Sequence, residues 1–192
     1  MKYKKFDKSL HDKWDELGRN AVIEFFRQRG HICKNNTDKY GVDLILYRND
    51  EPIGYAEVEV KPNWDNQKWP FKTVNVPSRK KKLLENDLPT WFFCVNNKGD
   101  YVMAVDAETV LQSPLLENPN KYIASGEYFY KVPVEKAKGM WVDRQKKLDY
   151  IHQFDLGEAL RKINSPGEKP DLEKFFESLI PAPENKNPEK RV

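Results

Sequence analysis

The chain is poor in the residues that build redox, zinc and thiol-nucleophile centres: it has two cysteines, Cys33 and Cys94, and three histidines in 192 residues. Two cysteines make no framework of disulfide staples, and with scattered histidines they make no zinc-ligand cluster. The compartment expected from this usage is a reducing one. Cys33 is assigned no nucleophilic role, and His31 has no neighbour in sequence to orient it as a general base. No apolar run approaches the roughly 20 residues of a membrane helix. The first residues, MKYKKFDKSLHDKW, lack an apolar signal core. The expectation is a soluble, cytoplasmic or otherwise intracellular protein with no membrane partner. Internal repeats are absent, and so is a strong excess of one charge: a third of the residues are charged, yet the net charge is +3. The whole-chain balance therefore does not announce a nucleic-acid binder, and local distribution has to decide.

What is present suits one ordinary domain with an appendage, since 39% hydrophobic content is enough for a single core. Ser9 to Arg29 is predicted as a helix. Trp14, Leu17, Ala21, Val22, Phe25 and Phe26 recur there at three- and four-residue spacings, and Gly30 ends it. A short strand, His31 to Lys34, and a loop from Asn35 to Lys39 then lead into Tyr40 to Trp64, YGVDLILYRNDEPIGYAEVEVKPNW. This stretch reads as a hairpin with its turn at Arg48 to Pro52. On the first strand Val42, Leu44 and Leu46 share one face and Asp43 the other. On the second, Ala56, Val58 and Val60 alternate with Glu57, Glu59 and Lys61.

In a suitable register Asp43 lies across from, or diagonal to, Glu57 and Glu59. Carboxylates that close repel each other, and a divalent cation relieves the repulsion. Hard ions such as Mg²⁺ take one or two carboxylates and complete their octahedra with water and phosphate oxygens. Lys61, on the same face, can orient a metal-bound water or offset charge on a phosphate. The alternative is a solvated antiparallel hairpin whose Glu57, Glu59 and Lys61 simply face water.

At Gly41-Val42-Asp43 and Glu59-Val60-Lys61 the chain resembles the PD-(D/E)XK nuclease superfamily. The position before the Asp, Pro in the family's pattern, is Val42 here. The resemblance implies a restriction-endonuclease-like α/β (α+β) fold, a mixed β-sheet flanked by helices. It also implies Asp43 and Glu59 as ligands of Mg²⁺ (or Mn²⁺), the Val60 carbonyl as a third, and Lys61 as the catalytic lysine. A helix before the hairpin often supplies a further acid in this family. Glu16 is the residue expected there, with Asp12, Asp15 and Glu24 as rivals and ordinary solvated acids as the plain alternative. Glu57 is additional to the motif and its role is left open.

The next segment concentrates charge: Lys61, Lys68, Lys72, Arg79, Lys80, Lys81 and Lys82 stand against one acid, Asp65, with Trp64, Trp69 and Phe71 between them. Cations interleaved with aromatics suit a phosphate backbone with bases stacked beside it. Trp64, Lys68, Trp69, Lys72, Arg79 and Lys80 are the expected nucleic-acid contacts. Core aromatics beside a solvated lysine face would give the same pattern. Pro77 precedes the helix expected to begin at Ser78-Arg79-Lys80, whose amino end adds an anion-binding option.

Further on, Leu88 to Val95 is predicted as a buried central strand, Asn96 to Asp100 as a turn and Tyr101 to Val105 as the returning strand. Asp106 caps a short helix, Ala107 to Gln112. Ser113 to Gly126 reads as loop, and Glu127 to Val134 as an edge strand because Pro133 cannot donate to a ladder. The expected organisation is a nuclease-like domain over 1–134 and a helical or irregular extension over 135–163, with Asp155 capping Leu156 to Ile163. A Pro-rich charged tail over 164–192 carries one amphipathic helix, Leu172 to Ile180. The activity expected is metal-dependent endonucleolytic hydrolysis of DNA, with DNA favoured over RNA as partner. A homodimer is in view, since enzymes that cut both strands often pair two sites by two-fold symmetry. The other class in view is a nuclease-like fold that binds nucleic acid or assembles without turnover.

Overall fold

The computed structural model describes residues 8–118 and 127–143. Helix α1 (Lys8–Arg27) comes first, and Gly30 at φ 78° turns the chain away from it. Strands β1 (Ile32–Asn35), β2 (Leu44–Arg48) and β3 (Glu51–Lys61) form an antiparallel meander. Strand β4 (Thr73–Pro77), a 3₁₀ turn at Ser78–Lys80 and helix α2 (Lys81–Leu84) precede the wholly buried β5 (Thr90–Asn96). Then come β6 (Tyr101–Asp106), α3 (Ala107–Leu111), β7 (Leu115–Asn118), β8 (Glu127–Pro133) and β9 (Lys138–Trp141). The larger sheet runs β1-β2-β3-β5-β6-β9 and the smaller β4-β8-β7. The fold is mixed α+β, as the sequence predicts: β3 and β5 pair in parallel and the other neighbours antiparallel.

The parallel pair dictates the layering. Parallel strands need a long crossover, and residues 62–89 supply it, carrying β4 and α2 over one face of the large sheet. On that face Trp64, Val74, Val76, Phe92, Cys94, Met103, Val105, Tyr130 and Val132 make one core. On the other, α1 packs Phe25 and Phe26 edge-on to Phe93, with centroids at 5.8 and 5.6 Å. Gly18 permits that approach: a Cβ there would stand 2.9 Å from Val60 and 3.0 Å from Val58.

Four expectations change. Glu127–Pro133 is the middle strand of the small sheet, not an edge; Pro133 sits at its end, where the missing donor matters least. Ser113 to Gly126 is not all loop, because Leu115–Asn118 pairs with β8. The basic crossover contains a strand, β4, and its helix is only one turn long. Finally, after a 3₁₀ turn at Val134–Lys136 the chain adds β9, which pairs with β6, so the folded unit continues beyond Val134. The helices expected at Leu156 to Ile163 and Leu172 to Ile180 lie outside the described residues. Among the described residues no helix is long and apolar enough to cross a membrane.

The cap expected at Asp106 is present. Its carboxylate accepts from the Thr109 backbone N–H and hydroxyl, both at 2.7 Å. Asp106→Ala is expected to cost about 1 kcal/mol of stability. Urea denaturation checks this, and an unchanged midpoint would contradict it.

Candidate metal centre and nucleic-acid surface

The site begins with a register shift. At the hairpin tip Arg48 pairs with Glu51 and Tyr47 with Pro52, across a two-residue turn in which Asn49 and Asp50 both have positive φ, 51° and 63°. From Leu46 onward the partners are Gly54, Tyr55 and Ala56, so the extra residue, Ile53, is bulged out. Without that bulge the register would continue with Asp43 opposite Ala56. With it, the same register carried one residue beyond the ladder sets Asp43 opposite Glu57, close enough for its charge to act on the Glu57 carboxyl.

Asp43 lies just past the end of β2, and its Oδ2 accepts from the Val58 N–H at 2.8 Å. That bond shows which backbone groups of β3 face Asp43. Alternate residues of a strand direct N–H and C=O to the same side, so the Val60 carbonyl is on the Asp43 side as well. Beyond Ala56 the ladder with β2 has ended. The expected carbonyl ligand thus lies on the open edge beside the expected carboxylate.

Glu57 has no solvent exposure. Lys80 donates to its Oε2, while its Oε1 is buried with no hydrogen-bond partner. Burial first, and then the neighbouring Asp43 charge, push its carboxyl up to about 7 against the opposing Lys80 and the Asp43 backbone N–H. Glu59, two residues on and 37% exposed, accepts from Lys61 Nζ at 2.6 Å. Burial by itself would lower the Lys61 pKa, but the charges of Cys94 and Glu59 and the Glu59 hydrogen bond outweigh it and the pKa is raised. Cys94, with its thiol pushed up to about 12 by burial, is neutral at ordinary pH. Glu59 is therefore the partner that holds Lys61 as an ammonium.

The donor set fits a hard divalent cation. Asp43 and Glu57 are adjacent carboxylates, one oxygen of Glu57 is orphaned in the interior, and a carbonyl edge is open. Among the described residues no three His, Cys, Asp or Glu side chains converge. A magnesium-type site, which takes one or two carboxylates and keeps waters, does not require a third.

The acids of α1 are sorted by the helix. Glu16 is exposed, whereas Asp15 lines a cleft with Trp14, Val58, Glu59 and Val60. Asp15 pairs with Arg19 at 2.5 Å. Glu24 is engaged by Arg27 and Gln28, and Asp12 is exposed near the amino end. Asp15, a rival in the sequence reading, is the acid of α1 that lines this cleft together with Glu59.

The basic segment is divided. Trp64 is 1% exposed and packs edge-on against Trp69 and Tyr101, at 4.8 and 5.9 Å, so it belongs to the core and is no platform for a base. Trp69 is half-buried, its indole N–H donating to the Thr73 carbonyl at 3.2 Å. Lys68 and Lys72 are exposed. Arg79 is exposed but paired with Glu127, and Lys80 is committed to Glu57. Since α2 has only four residues, its amino end offers no anion site of its own.

Two features escape the sequence reading: the Lys80–Glu57 pair and the exposure of Tyr40 in the loop before Asp43. The motif-adjacent Glu57, on a strand whose other residues are largely apolar, is the signal for the first.

The Glu57 carboxyl gives a pH prediction. Its folded value near 7 exceeds 4.5, so the folded state holds a proton that the unfolded chain has released. Its contribution is full below about pH 4.5 and is lost as pH rises towards 7, by on the order of 3 kcal/mol. Glu57→Gln removes this titration. Urea unfolding at pH 5 and pH 8 should show a steeper decline for the parent than for the variant; equal slopes would contradict the assignment.

No family model and no curated protein matches this chain. Among solved structures it is similar to D212, a nuclease from a fusselovirus, at 16% sequence identity and a TM-score of 0.37, over 71% of this chain and 90% of that one.

Proposed function

We propose that this chain is a divalent-metal-dependent nuclease of the PD-(D/E)XK type that hydrolyses DNA phosphodiester bonds. The observation that carries the reading is the carboxylate pair created by the Ile53 bulge, Asp43 opposite Glu57, with the Glu59–Lys61 pair on the same face of β3. Asp43, Glu59 and the Val60 carbonyl would hold Mg²⁺ or Mn²⁺, with Glu57 beside them. The ion would supply Lewis-acid polarisation of a phosphate oxygen and a more acidic bound water.

The remaining roles belong to the chain itself. Lys61 is kept protonated by Glu59, so it acts as a fixed positive charge towards the reacting phosphate and not as a base. Lys68, Lys72 and Arg79 present cations on the exposed side of the crossover, where backbone contacts give salt-dependent affinity. Asp15, which lines the cleft beside Glu59, would be the acid contributed by α1. A homodimer would set two such sites on opposite strands.

The test is cleavage of supercoiled plasmid, single-stranded DNA and a branched junction with Mg²⁺, Mn²⁺ or chelator. Metal-dependent product is expected. A second reading, a nuclease-like fold that binds without cutting, is favoured by one observation: Lys80 already neutralises Glu57. Salt-sensitive DNA binding with no product under any metal would replace the first reading by the second.

A further inference from the structure

The loop between β1 and β2 holds the most exposed large aromatic side chain among the described residues. Tyr40 is 91% exposed, three residues before Asp43. It is third in a β-turn closed by the Gly41 N–H to the Asp38 carbonyl, at 3.3 Å. Positions of that kind favour Asp, Asn, Ser or Gly on stability grounds. A tyrosine there covers no apolar surface.

The loop is nonetheless built to hold it. Asp38 Oδ1 accepts from the Tyr40 N–H at 2.9 Å, and Asn36 Oδ1 from the Asp38 N–H at 3.0 Å. The Asn36 N–H donates to the Asp43 carbonyl at 3.0 Å, tying the loop to the metal-side residue. Gly41 allows the close fold: a Cβ there would lie 2.6 Å from Asn36 Nδ2. On either side of Tyr40, Lys39 and Gly41 line a polar cavity together with Arg19, Asn35, Asn36, Asp38, Val42 and Asp43. Lys39 and two amides therefore stand beside the exposed ring, within one loop of Asp43.

We infer that Tyr40 and this cavity form a nucleotide subsite, in which an unpaired base stacks on the Tyr40 ring and its phosphate meets Lys39. The inference rests on the nuclease reading and narrows its substrate. Bases within a continuous duplex have both faces covered by their neighbours, so a protruding ring can stack only on a base at an end, a branch or a single strand. Three residues of chain reach at most about 11 Å, so the stacked base lies within a few nucleotides of the phosphate at Asp43. Asn35 and Asn36 offer amide groups for a base edge, while the ring itself accepts any base.

The experiment is fluorescence anisotropy of a short single-stranded DNA with chelator present, using the parent, Tyr40→Ala and Tyr40→Phe. The exposed position leaves the fold unaffected, which thermal unfolding verifies. Tyr40→Ala is expected to weaken binding about tenfold and Tyr40→Phe by less than about twofold, with almost no effect of either on binding to a relaxed, covalently closed circular duplex, which has no ends, branches or unpaired bases. A parent that binds and cuts single-stranded DNA while Tyr40→Ala binds equally well overturns the subsite and leaves the nuclease reading standing. Equal losses in Tyr40→Ala and Tyr40→Phe would overturn stacking. A parent that binds no nucleic acid removes both.

Discussion

Asp43→Asn and Glu59→Gln are each expected to lower metal-dependent cleavage by at least about a thousandfold, because a bound cation contributes several kcal/mol to a phosphoryl-transfer barrier and each tenfold is about 1.4 kcal/mol. The fold should survive both changes. In Asp43→Asn the side-chain amide keeps an oxygen to accept from the Val58 N–H, which donates to the Asp43 carboxylate at 2.8 Å. Glu59 is 37% exposed, and in Glu59→Gln the side-chain amide keeps an oxygen to accept from Lys61. Single-turnover cleavage beside circular dichroism measures the separation of activity from folding. Full activity in either variant would remove that residue from the site.

The second large effect concerns a residue that the sequence places on the DNA and the structure places in the core. Trp64→Ala is expected to cost about 3–5 kcal/mol of stability, the usual range for truncating a buried tryptophan. That is a large part of what a domain of this size possesses. Trp64 joins Trp69 and Tyr101 edge-on, and Tyr101 continues the stack to Trp141 at 5.3 Å, so its loss opens the space between the two sheets. Urea denaturation reads the change directly. A well-folded Trp64→Ala with ordinary stability and only weakened DNA binding would restore the surface reading.

The contrast between these residues shows what the sequence can specify. The wholly buried β5, the Asp106 cap and the helix ending before Gly30 are local features whose chemistry is complete within a few residues, and they form as expected. Register is different. Nothing in EPIG declares that Ile53 is bulged, yet that one residue decides whether Asp43 faces Glu57 or Ala56. Burial of Glu57 is equally nonlocal, because its cover comes from the crossover, where Lys80 follows β4, and from the sheet that β4 builds with the distant β8.

Trp64 is illegible for the same reason. Cations interleaved with aromatics describe both a phosphate track and a two-layer crossover with a polar outside. The chain uses Trp64 and half of Trp69 for the second purpose and leaves Lys68 and Lys72 exposed. Tyr40 escapes notice because single exposed aromatics are common, and only its clamp by Asn36 and Asp38 distinguishes it. Among the acids of α1, sequence names both Asp15 and Glu16, and only helix rotation against β3 separates them.

If Asp43 and the acids of β3 hold a divalent cation used in cleavage, a Mn²⁺ titration followed by electron paramagnetic resonance reads it, with plasmid and single-stranded DNA cleavage measured on the same samples of parent and Asp43→Asn. Saturable Mn²⁺ binding and cleavage are expected in the parent, and loss of both together in the variant. Cleavage that persists in Asp43→Asn, or Mn²⁺ binding that is the same in both proteins, would contradict it.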